Sequence, residues 1–373
     1  MRPICARAAL ALAMGLAVIA PAMAAEHYTM QDYGRVQKID VHMHLHSDQP
    51  GFVQHARREK FKLLTINTDY ADFPSLDEQQ RVAAQLLQAF PADVAFAVSF
   101  PVDQSDQPGW LEQTEARISR GMQRGAVGVK IWKNVGMDLR SADGRLVMVD
   151  DARFEPLFRY LAEMRIPLLG HQGEPKNCWL PLEEMTVEND REYFKAHPQY
   201  HMALHPEMPS YEQQMAARDH MLEQQPGLQF IGMHLASLEW DVDRLAQFLD
   251  RFPTAMVDLA ARVGQLQDQS NRDRERVRRF FIRYQDRVMY GSDLSQDAKQ
   301  PGAEFAKEAH AVWRQHWRYF NTDSTMKVAE LSHTVRGLAL PKSVVDKLYR
   351  LNAQRIYPTA WPQNAKRRNE LGH

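Results

Sequence analysis

The sequence predicts an α/β fold, a (β/α)8 TIM barrel with loop insertions after its first and fifth strands. Short apolar runs rich in β-forming residues recur along the chain, and the segments between them have the apolar periodicity of amphipathic helices. Alternating strands and helices favour a parallel sheet, and eight such units suit a barrel of ordinary length. Because no stretch resembles an interdomain linker, residues 25–373 are predicted to form a single domain.

Each predicted strand is a short apolar run. The strands are predicted at residues 36–42, 62–66, 93–100, 126–132, 166–171, 228–234, 254–260 and 287–292. The helices are predicted at residues 76–90, 111–124, 151–164, 211–224, 241–251, 271–284 and 340–357. The predicted insertions, residues 43–61 and 172–210, are candidate substrate lids, because loops after barrel strands lie on the active-site face.

The first residues of the chain have the pattern of a cleavable signal peptide. Arg2 and Arg7 form a short basic region, residues 8–20 are an unbroken apolar run, and Ala22-Met23-Ala24 suits signal peptidase. The run is shorter than the about 20 apolar residues of a membrane span, although a non-cleaved anchor is the alternative. The prediction is removal of residues 1–24 and a periplasmic or secreted protein that is no longer attached to the membrane.

The overall charge excludes some classes of partner. The formal net charge is −1, so no global field favours nucleic acid or an anionic membrane. The densest basic stretch, residues 272–287, is interleaved with acidic residues and is typical of a solvated helix face. The expected partner is a small-molecule substrate, and a homo-oligomer is left open.

The first predicted strand ends in Asp40-Val41-His42-Met43-His44. Alternate residues of a strand point to the same side, so His42 and His44 are expected to project together while Met43 faces away. Two such imidazoles can bind one metal ion if further ligands come from elsewhere. The alternative for the pair by itself is two surface or core histidines near a strand end.

Three later strands also end in residues that can bind metals. His171 closes the fifth strand, His234 the sixth and Asp293 the eighth, each preceded by a glycine that allows close approach of the backbone. Each alone could be a core histidine or a helix cap. Because strand ends converge on one face of a barrel, all of them together predict a metal site.

This order of residues resembles the amidohydrolase superfamily, specifically the amidohydrolase-related branch, or amidohydrolase family 2. The branch includes metal-dependent decarboxylases as well as hydrolases. The resemblance runs from Lys38 to about Tyr357, and its most specific pieces are IDVHMH (39–44), GVKIWK (128–133), LLGHQGEP (168–175), FIGMHLAS (230–237) and DRVMYGSD (286–293).

The resemblance implies roles for five of these residues. His42, His44, His171 and Asp293 match the family's metal ligands. His234 matches a histidine that binds a second metal in binuclear members and orients water or donates a proton in mononuclear ones. The implied ion is divalent, zinc most often, although manganese, iron or nickel would suit similar ligands. One ion is favoured and two are the alternative.

The fourth strand carries Lys130 and Lys133, and the resemblance leaves their roles open. Binuclear members have a carboxylated lysine here that bridges two metals. In the mononuclear branch, which the surrounding residues resemble more, a cation would contact a substrate carboxylate or stabilise developing negative charge. A strand-end lysine that reaches solvent is the third interpretation.

The predicted reaction is hydrolysis of an amide, ester or lactone bond in a small molecule. A divalent cation lowers the pKa of water towards about 7. Asp293 is the expected general base, His234 the expected proton donor, and Lys130 a stabiliser of the oxyanion. Decarboxylation of an unsaturated or aromatic acid by the same residues is the alternative, which a periplasmic location disfavours. A binding protein with a structural metal is a third class, although structural zinc sites are usually closed.

Substrate contacts are predicted from two further segments. Asp258 and Arg262, at the end of the seventh strand, could face the pocket, and Arg262 could bind a substrate carboxylate through two hydrogen bonds. A salt bridge within the fold is the alternative for Arg262. Glu174 lies just beyond His171, where it could contact substrate or support the ligand.

Overall fold

The computed structural model describes residues 26–362, so the predicted signal peptide at residues 1–24 lies outside the described residues. The strands are β1 (Lys38–Leu45), β2 (Phe61–Ile66), β3 (Val94–Ser99), β4 (Val129–Ile131), β5 (Leu168–Gly170), β6 (Phe230–Gly232), β7 (Met256–Asp258), β8 (Val288–Met289), β9 (Leu294–Gln296), β10 (Thr325–Lys327) and β11 (Thr334–Arg336). The helices are α1 (Gly51–Arg58), α2 (Leu76–Ala89), α3 (Trp110–Gln123), α4 (Asn134–Met137), α5 (Glu155–Glu163), α6 (Glu188–Ala196), α7 (Tyr211–Gln224), α8 (Met233–Ala236), α9 (Val242–Arg251), α10 (Val263–Arg283), α11 (Gly302–Asn321), α12 (Lys342–Asp346) and α13 (Asn352–Ile356). A single π-helical turn joins α12 to α13.

The first nine strands form one curled sheet in the order β8-β7-β6-β5-β4-β3-β2-β1-β9. All neighbouring strands of this sheet are parallel, as the strand–helix alternation predicts. The Val41 N–H donates to the Tyr290 carbonyl at 3.0 Å, and the Asp293 N–H donates to the His42 carbonyl at 2.8 Å. The segment between β8 and β9 therefore forms backbone hydrogen bonds with β1, which is consistent with the predicted barrel.

The sheet separates two apolar clusters. The inner cluster contains Ile39 and Val41 of β1, with Tyr357 and Trp361 from the C-terminal segment packed against it. The larger cluster fills the space between the sheet and the helices. The predicted C-terminal helix is therefore confirmed as a segment that packs beneath the strands, and it begins directly after Pro341, which occupies its N-cap.

The two predicted insertions have different outcomes. The boundary at residue 43 was wrong, because β1 continues to Leu45 and residues 51–58 form α1. Residues 172–210 form α6 and several short 3₁₀ turns around a small apolar cluster of their own, which includes Cys178 and Phe194. That this segment is an insertion relative to other barrels stays a prediction.

Several elements were not predicted from the sequence. They include the short helices α1, α4, α6 and α8, the strand β9, and the antiparallel pair β10–β11. The longest of them is α11, which carries the fully buried side chains of Trp313 and Trp317. α10 also begins at Val263, before the predicted start at residue 271. Within the described residues, no helix combines the length and the apolar character that crossing a membrane requires.

Candidate metal centre

His42 and His44 face the interior of the sheet because β1 contains a bulge. Between Asp40 and Met43 the pairing with β2 shifts by one residue, so β1 has one residue more than its partner. A bulge reverses which side of the sheet the following residues face. Val41 therefore packs in the inner cluster, while Met43 and Leu45 pack in the outer cluster. The prediction that the two histidines share a side and Met43 faces away is confirmed.

Asp40 supports this bulge from the outer side of the strand. Its carboxylate accepts hydrogen bonds from the His42 N–H at 3.2 Å, the Ser292 N–H at 3.0 Å and the Trp313 indole at 2.8 Å. Burial raises the pKa of Asp40 to about 6, although these hydrogen bonds favour the ionised form. Asp40 thus fixes the backbone conformation that orients His42.

Asp293 completes a group of three side chains. Its Oδ1 lies 3.1 Å from His42 Nε2 and 3.3 Å from His44 Nε2. One candidate ligand atom from each of the three residues lies within 4.8 Å of the others. Ligand atoms of a tetrahedral site with bonds of about 2.0–2.1 Å are about 3.3 Å apart, so these residues fit a divalent metal.

The ring nitrogens that do not face Asp293 are hydrogen-bonded. His44 Nδ1 lies 2.9 Å from the Ile66 carbonyl, which can only accept, so Nδ1 carries the proton. His42 Nδ1 lies 2.8 Å from Asp258 Oδ2. Both contacts leave the Nε2 lone pairs free to bind a cation, and such outer partners commonly fix the orientation of metal-binding histidines.

His171 lies beside His234 and is not one of the three residues whose ligand atoms lie within 4.8 Å of one another. The ring centroids of His171 and His234 are 4.0 Å apart, and both residues line the same cavity as His42. His171 Nε2 is buried and has no hydrogen-bond partner among the described residues. Burial holds the pKa of His171 well below its usual value, so the ring is neutral, as a metal ligand must be. Its predicted role as a ligand stays a prediction.

His234 begins a left-handed turn of the backbone. Residues 234–237, His-Leu-Ala-Ser, all have φ between 55° and 58°. This conformation costs non-glycine residues roughly 1–3 kcal/mol each, so the surroundings must hold it. The His234 N–H donates to Asp258 Oδ1 at 2.8 Å, and the Ser237 hydroxyl donates to the Gln172 carbonyl at 2.8 Å. His234 Nδ1 donates to the Ala260 carbonyl at 2.9 Å, which leaves Nε2 free.

Asp258 therefore contacts two histidines of the site at once. One carboxylate oxygen holds the His42 ring and the other holds the backbone of His234. The residue is fully buried, whereas the sequence indicated only that it could face the pocket. The signal available in the sequence was its position at the end of the seventh strand.

Lys130 is buried at the cavity wall. Its Nζ lies 2.9 Å from Met233 Sδ. Burial lowers the pKa of Lys130 to about 8, and the charges of Asp293 and Asp258 oppose that shift. Lys133, which lies beyond the end of β4 and precedes α4, instead forms an ion pair with Glu174, so the two lysines differ in their surroundings.

The structure brings Glu174 to the cavity but not Arg262. Among the described residues that line the cavity, Arg262 is absent. Its guanidinium donates to the Ala261 carbonyl at 3.0 Å. Burial raises the pKa of Glu239 to about 7, and the nearby charge of Arg262 opposes this rise. Among the described residues Arg262 has no carboxylate within ion-pair distance, so the salt bridge that was its alternative stays a prediction.

The cavity above these residues has a volume of about 640 Å³ and a largely aromatic wall. The sequence gave little indication of which aromatic residues would form this wall, because they come from several loops. They are Tyr70, Phe73, Trp132, Tyr193 and Tyr200. Pockets with apolar walls and a few convergent polar groups are typical of small-molecule sites.

Comparison with known proteins identifies the family. A model of the family described as Amidohydrolase (Amidohydro_2) matches residues 39–359. This chain belongs to the amidohydrolase family. Amidohydrolases are metal-dependent enzymes, which agrees with the group formed by His42, His44 and Asp293. No curated protein sequence matches this amidohydrolase.

Several solved structures are similar to this amidohydrolase. The 2,6-dihydroxybenzoate decarboxylase from Rhizobium is 11% identical, with 86% of this chain and 99% of that chain covered and a TM-score of 0.46. The 4-oxalomesaconate hydratase from Rhodopseudomonas palustris is 12% identical, with 90% and 100% covered and a TM-score of 0.45. A 5-carboxyvanillate decarboxylase from Novosphingobium aromaticivorans with bound manganese is 15% identical, with 88% and 98% covered and a TM-score of 0.44. Likeness at this level carries no information about the reaction.

Proposed function

We propose that this amidohydrolase is a hydrolase that depends on one divalent metal ion, zinc, and cleaves an amide, ester or lactone bond in a small molecule. His42, His44, His171 and Asp293 would hold the ion. The observation that carries the proposal is the group of His42, His44 and Asp293, whose free donor atoms converge within 4.8 Å at the floor of a cavity.

A divalent ion at this position would supply Lewis acidity and lower the pKa of a water molecule towards about 7. Asp293 would be ionised, because its neighbours His234 and His42 overcome the effect of burial and hold its pKa well below the usual range, and its carboxylate would accept the proton of that water. His234 would hold or release a proton through its free Nε2, because its Nδ1 is occupied by the Ala260 carbonyl. Lys130 would stabilise negative charge on the substrate oxygen.

The charges around the cavity favour hydrolysis of a neutral substrate over decarboxylation. Besides Asp293, four acidic residues line the cavity, namely Asp72, Asp138, Glu174 and Glu207. The lysines that line it are Lys130 and Lys133, and Glu174 pairs with Lys133. A carboxylate substrate would therefore meet net negative charge on its way to the floor.

Decarboxylation of an unsaturated or aromatic acid is the second candidate. Lys130 has no carboxylate within ion-pair distance among the described residues, so one buried cation remains available to a substrate carboxylate. The aromatic wall would also suit a planar acid.

The test combines metal analysis with product analysis on the purified protein. We expect about one equivalent of metal at the floor and turnover of lactones, esters or amides in a panel that also contains aromatic acids. A second ion located at the floor by anomalous diffraction would instead support a carboxylated Lys130. Release of carbon dioxide without net addition of water would contradict the hydrolase proposal, and activity unaffected by chelators would contradict both candidates.

We also propose that residues 1–24 are a cleaved signal peptide and that the remaining chain acts outside the cytoplasm. Sequencing the N-terminus of protein recovered from the periplasm tests this. A chain that begins at Ala25 is expected, and a chain that retains the apolar run would contradict cleavage.

A further inference from the structure

A second group of metal-binding side chains lies away from the cavity, between α1 and α11. His55 lies on α1 and Glu59, four residues later, is the C-cap of that helix, so the two side chains lie on the same side of it. His310 faces them from α11. One candidate ligand atom from each of these three residues lies within 4.8 Å of the others.

The distances in this group suit a tetrahedral ion. His310 Nδ1 lies 2.9 Å and His55 Nε2 lies 3.8 Å from Glu59 Oε1. These values bracket the spacing of about 3.3 Å that follows from bonds of about 2.0–2.1 Å to zinc. Small rotations of the side chains would therefore bring all three ligands into place.

Two atoms of the group are buried and have no hydrogen-bond partner among the described residues. They are His55 Nε2 and Glu59 Oε2. Buried polar atoms are nearly always paired, so two unpaired acceptors in one cluster indicate a missing partner. Burial also lowers the pKa of His55, and the hydrogen-bonding side chains of Tyr33 and His310 outweigh the effect of burial and lower the pKa of Glu59. A neutral imidazole and an ionised carboxylate are the forms that bind metals.

We propose that His55, Glu59 and His310 form a second divalent-metal site that links α1 to α11. Two imidazoles and one carboxylate favour zinc over calcium or magnesium. A surface cavity of about 620 Å³, lined by all three residues, provides room for water at the fourth position. Arg58 and Lys307 line the same cavity, so we expect weaker binding than at the floor of the active site.

This site is independent of the proposed reaction. It lies on the outer side of the sheet, and none of its three residues lines the active-site cavity. Its effect would be to fasten α1, the helix that follows the metal-binding strand β1, to α11.

The first test counts zinc bound by the purified protein after equilibration with Zn²⁺, using elemental mass spectrometry. Wild-type protein is expected to bind one equivalent more than either His55→Gln or His310→Gln. His220→Gln is the matched control, because His220 is a surface histidine that contacts Asp150 and Gln224 and is not part of the group, and it should bind as much zinc as the wild type. Zinc should also raise the Tm of the wild type by at least about 2 °C more than that of either variant. Equal stoichiometry in all four proteins would overturn the proposal.

A second test does not depend on whether the variants fold. Anomalous diffraction at the zinc edge from wild-type crystals equilibrated with Zn²⁺ should show a peak between His55, Glu59 and His310. No peak there at saturating zinc would overturn the site. His44→Ala should lose zinc at the floor and keep it between α1 and α11, which separates failure of this site from failure of the proposed function.

Discussion

The floor of the cavity is made of strand ends, whereas its mouth is made of residues from loops and from α6. We call His42, His44, His171, His234 and Asp293 the floor, and Tyr70, Trp132, Tyr193 and Tyr200 the mouth. Every histidine of the floor is at most 7% exposed, and the rings of three of them are held by contacts from Asp258, Ile66 or Ala260. At the mouth, Tyr193 is 42% exposed and Tyr200 is 40% exposed.

This difference indicates that the floor and the mouth have different roles. The side chains of the floor are fixed by buried hydrogen bonds, as catalytic groups must be if their geometry is to be kept. The mouth lies on exposed loops, which tolerate change and commonly determine which molecules bind. Substitutions at the floor should therefore change the rate of the reaction, and substitutions at the mouth should change the affinity for substrate.

The largest effect is expected for a ligand of the floor. His44→Ala removes one donor to the ion, and losing metal-based stabilisation of several kcal/mol corresponds to a fall in kcat/KM of about 10³-fold or more. The measurement is steady-state kinetics on the best substrate of the panel, together with the metal content. His46→Gln is the control, since His46 is a buried histidine two residues on that is not part of the group of three. Similar losses in both variants would contradict the assignment of the floor.

The second-largest effect is expected when a methyl group is added to the backbone next to His42. A methyl group on Gly291 would lie 2.8 Å from His42 Cβ, so Gly291→Ala must push the strand or the ring aside. Overpacking of this kind costs about 1–3 kcal/mol of stability, and a displaced catalytic group can lower the rate by about 100-fold.

Thermal unfolding and kcat are the measurements for this substitution. Gly227→Ala is the matched control, because a methyl group there meets nothing within 4 Å. A fully active Gly291→Ala protein would show that the floor is less tightly fixed than its hydrogen bonds indicate.

A smaller loss is expected when the support of the floor is weakened. Asp258→Asn keeps the shape but removes the charge that orients His42 Nδ1, and such changes typically lower metal affinity or activity about 10- to 100-fold. Metal titration and kcat measure the effect. Asp190→Asn is a comparable buried change outside the cavity and should leave metal affinity unchanged. If Asp258→Asn behaved like this control, Asp258 would have only a structural role.

The smallest effect is expected at the mouth. Tyr193→Ala removes one partly exposed ring, which is worth about 0.5–1.5 kcal/mol of contact and corresponds to a rise in KM of about 2- to 10-fold. The kcat should stay the same, because the ring is not near the reacting groups. A fall in kcat as large as the expected rise in KM would show that the mouth takes part in catalysis. It would remove the distinction between the two regions.

The sequence predicted the strands better than the segments between them. All eight predicted strands are present, because short apolar runs record burial directly, and α7 spans the predicted range. α11 was missed although it is 20 residues long and its buried residues Phe305, Ala309, Trp313 and Trp317 recur at helical spacing, so this helix could have been predicted from the sequence. Gly170, Gly232 and Gly291, predicted to allow close approach, each leave no room for a methyl group.

The sequence by itself determined the family and the residue types that end the strands, because a ligand's chemistry and its place after an apolar run are both local properties. Only the tertiary structure decided where those residues point. The bulge in β1 turns His42 inward, Asp258 joins two strands, and Arg262 lies outside the cavity. Such features depend on the register between strands and on contacts between distant residues, and no local pattern in the chain encodes them.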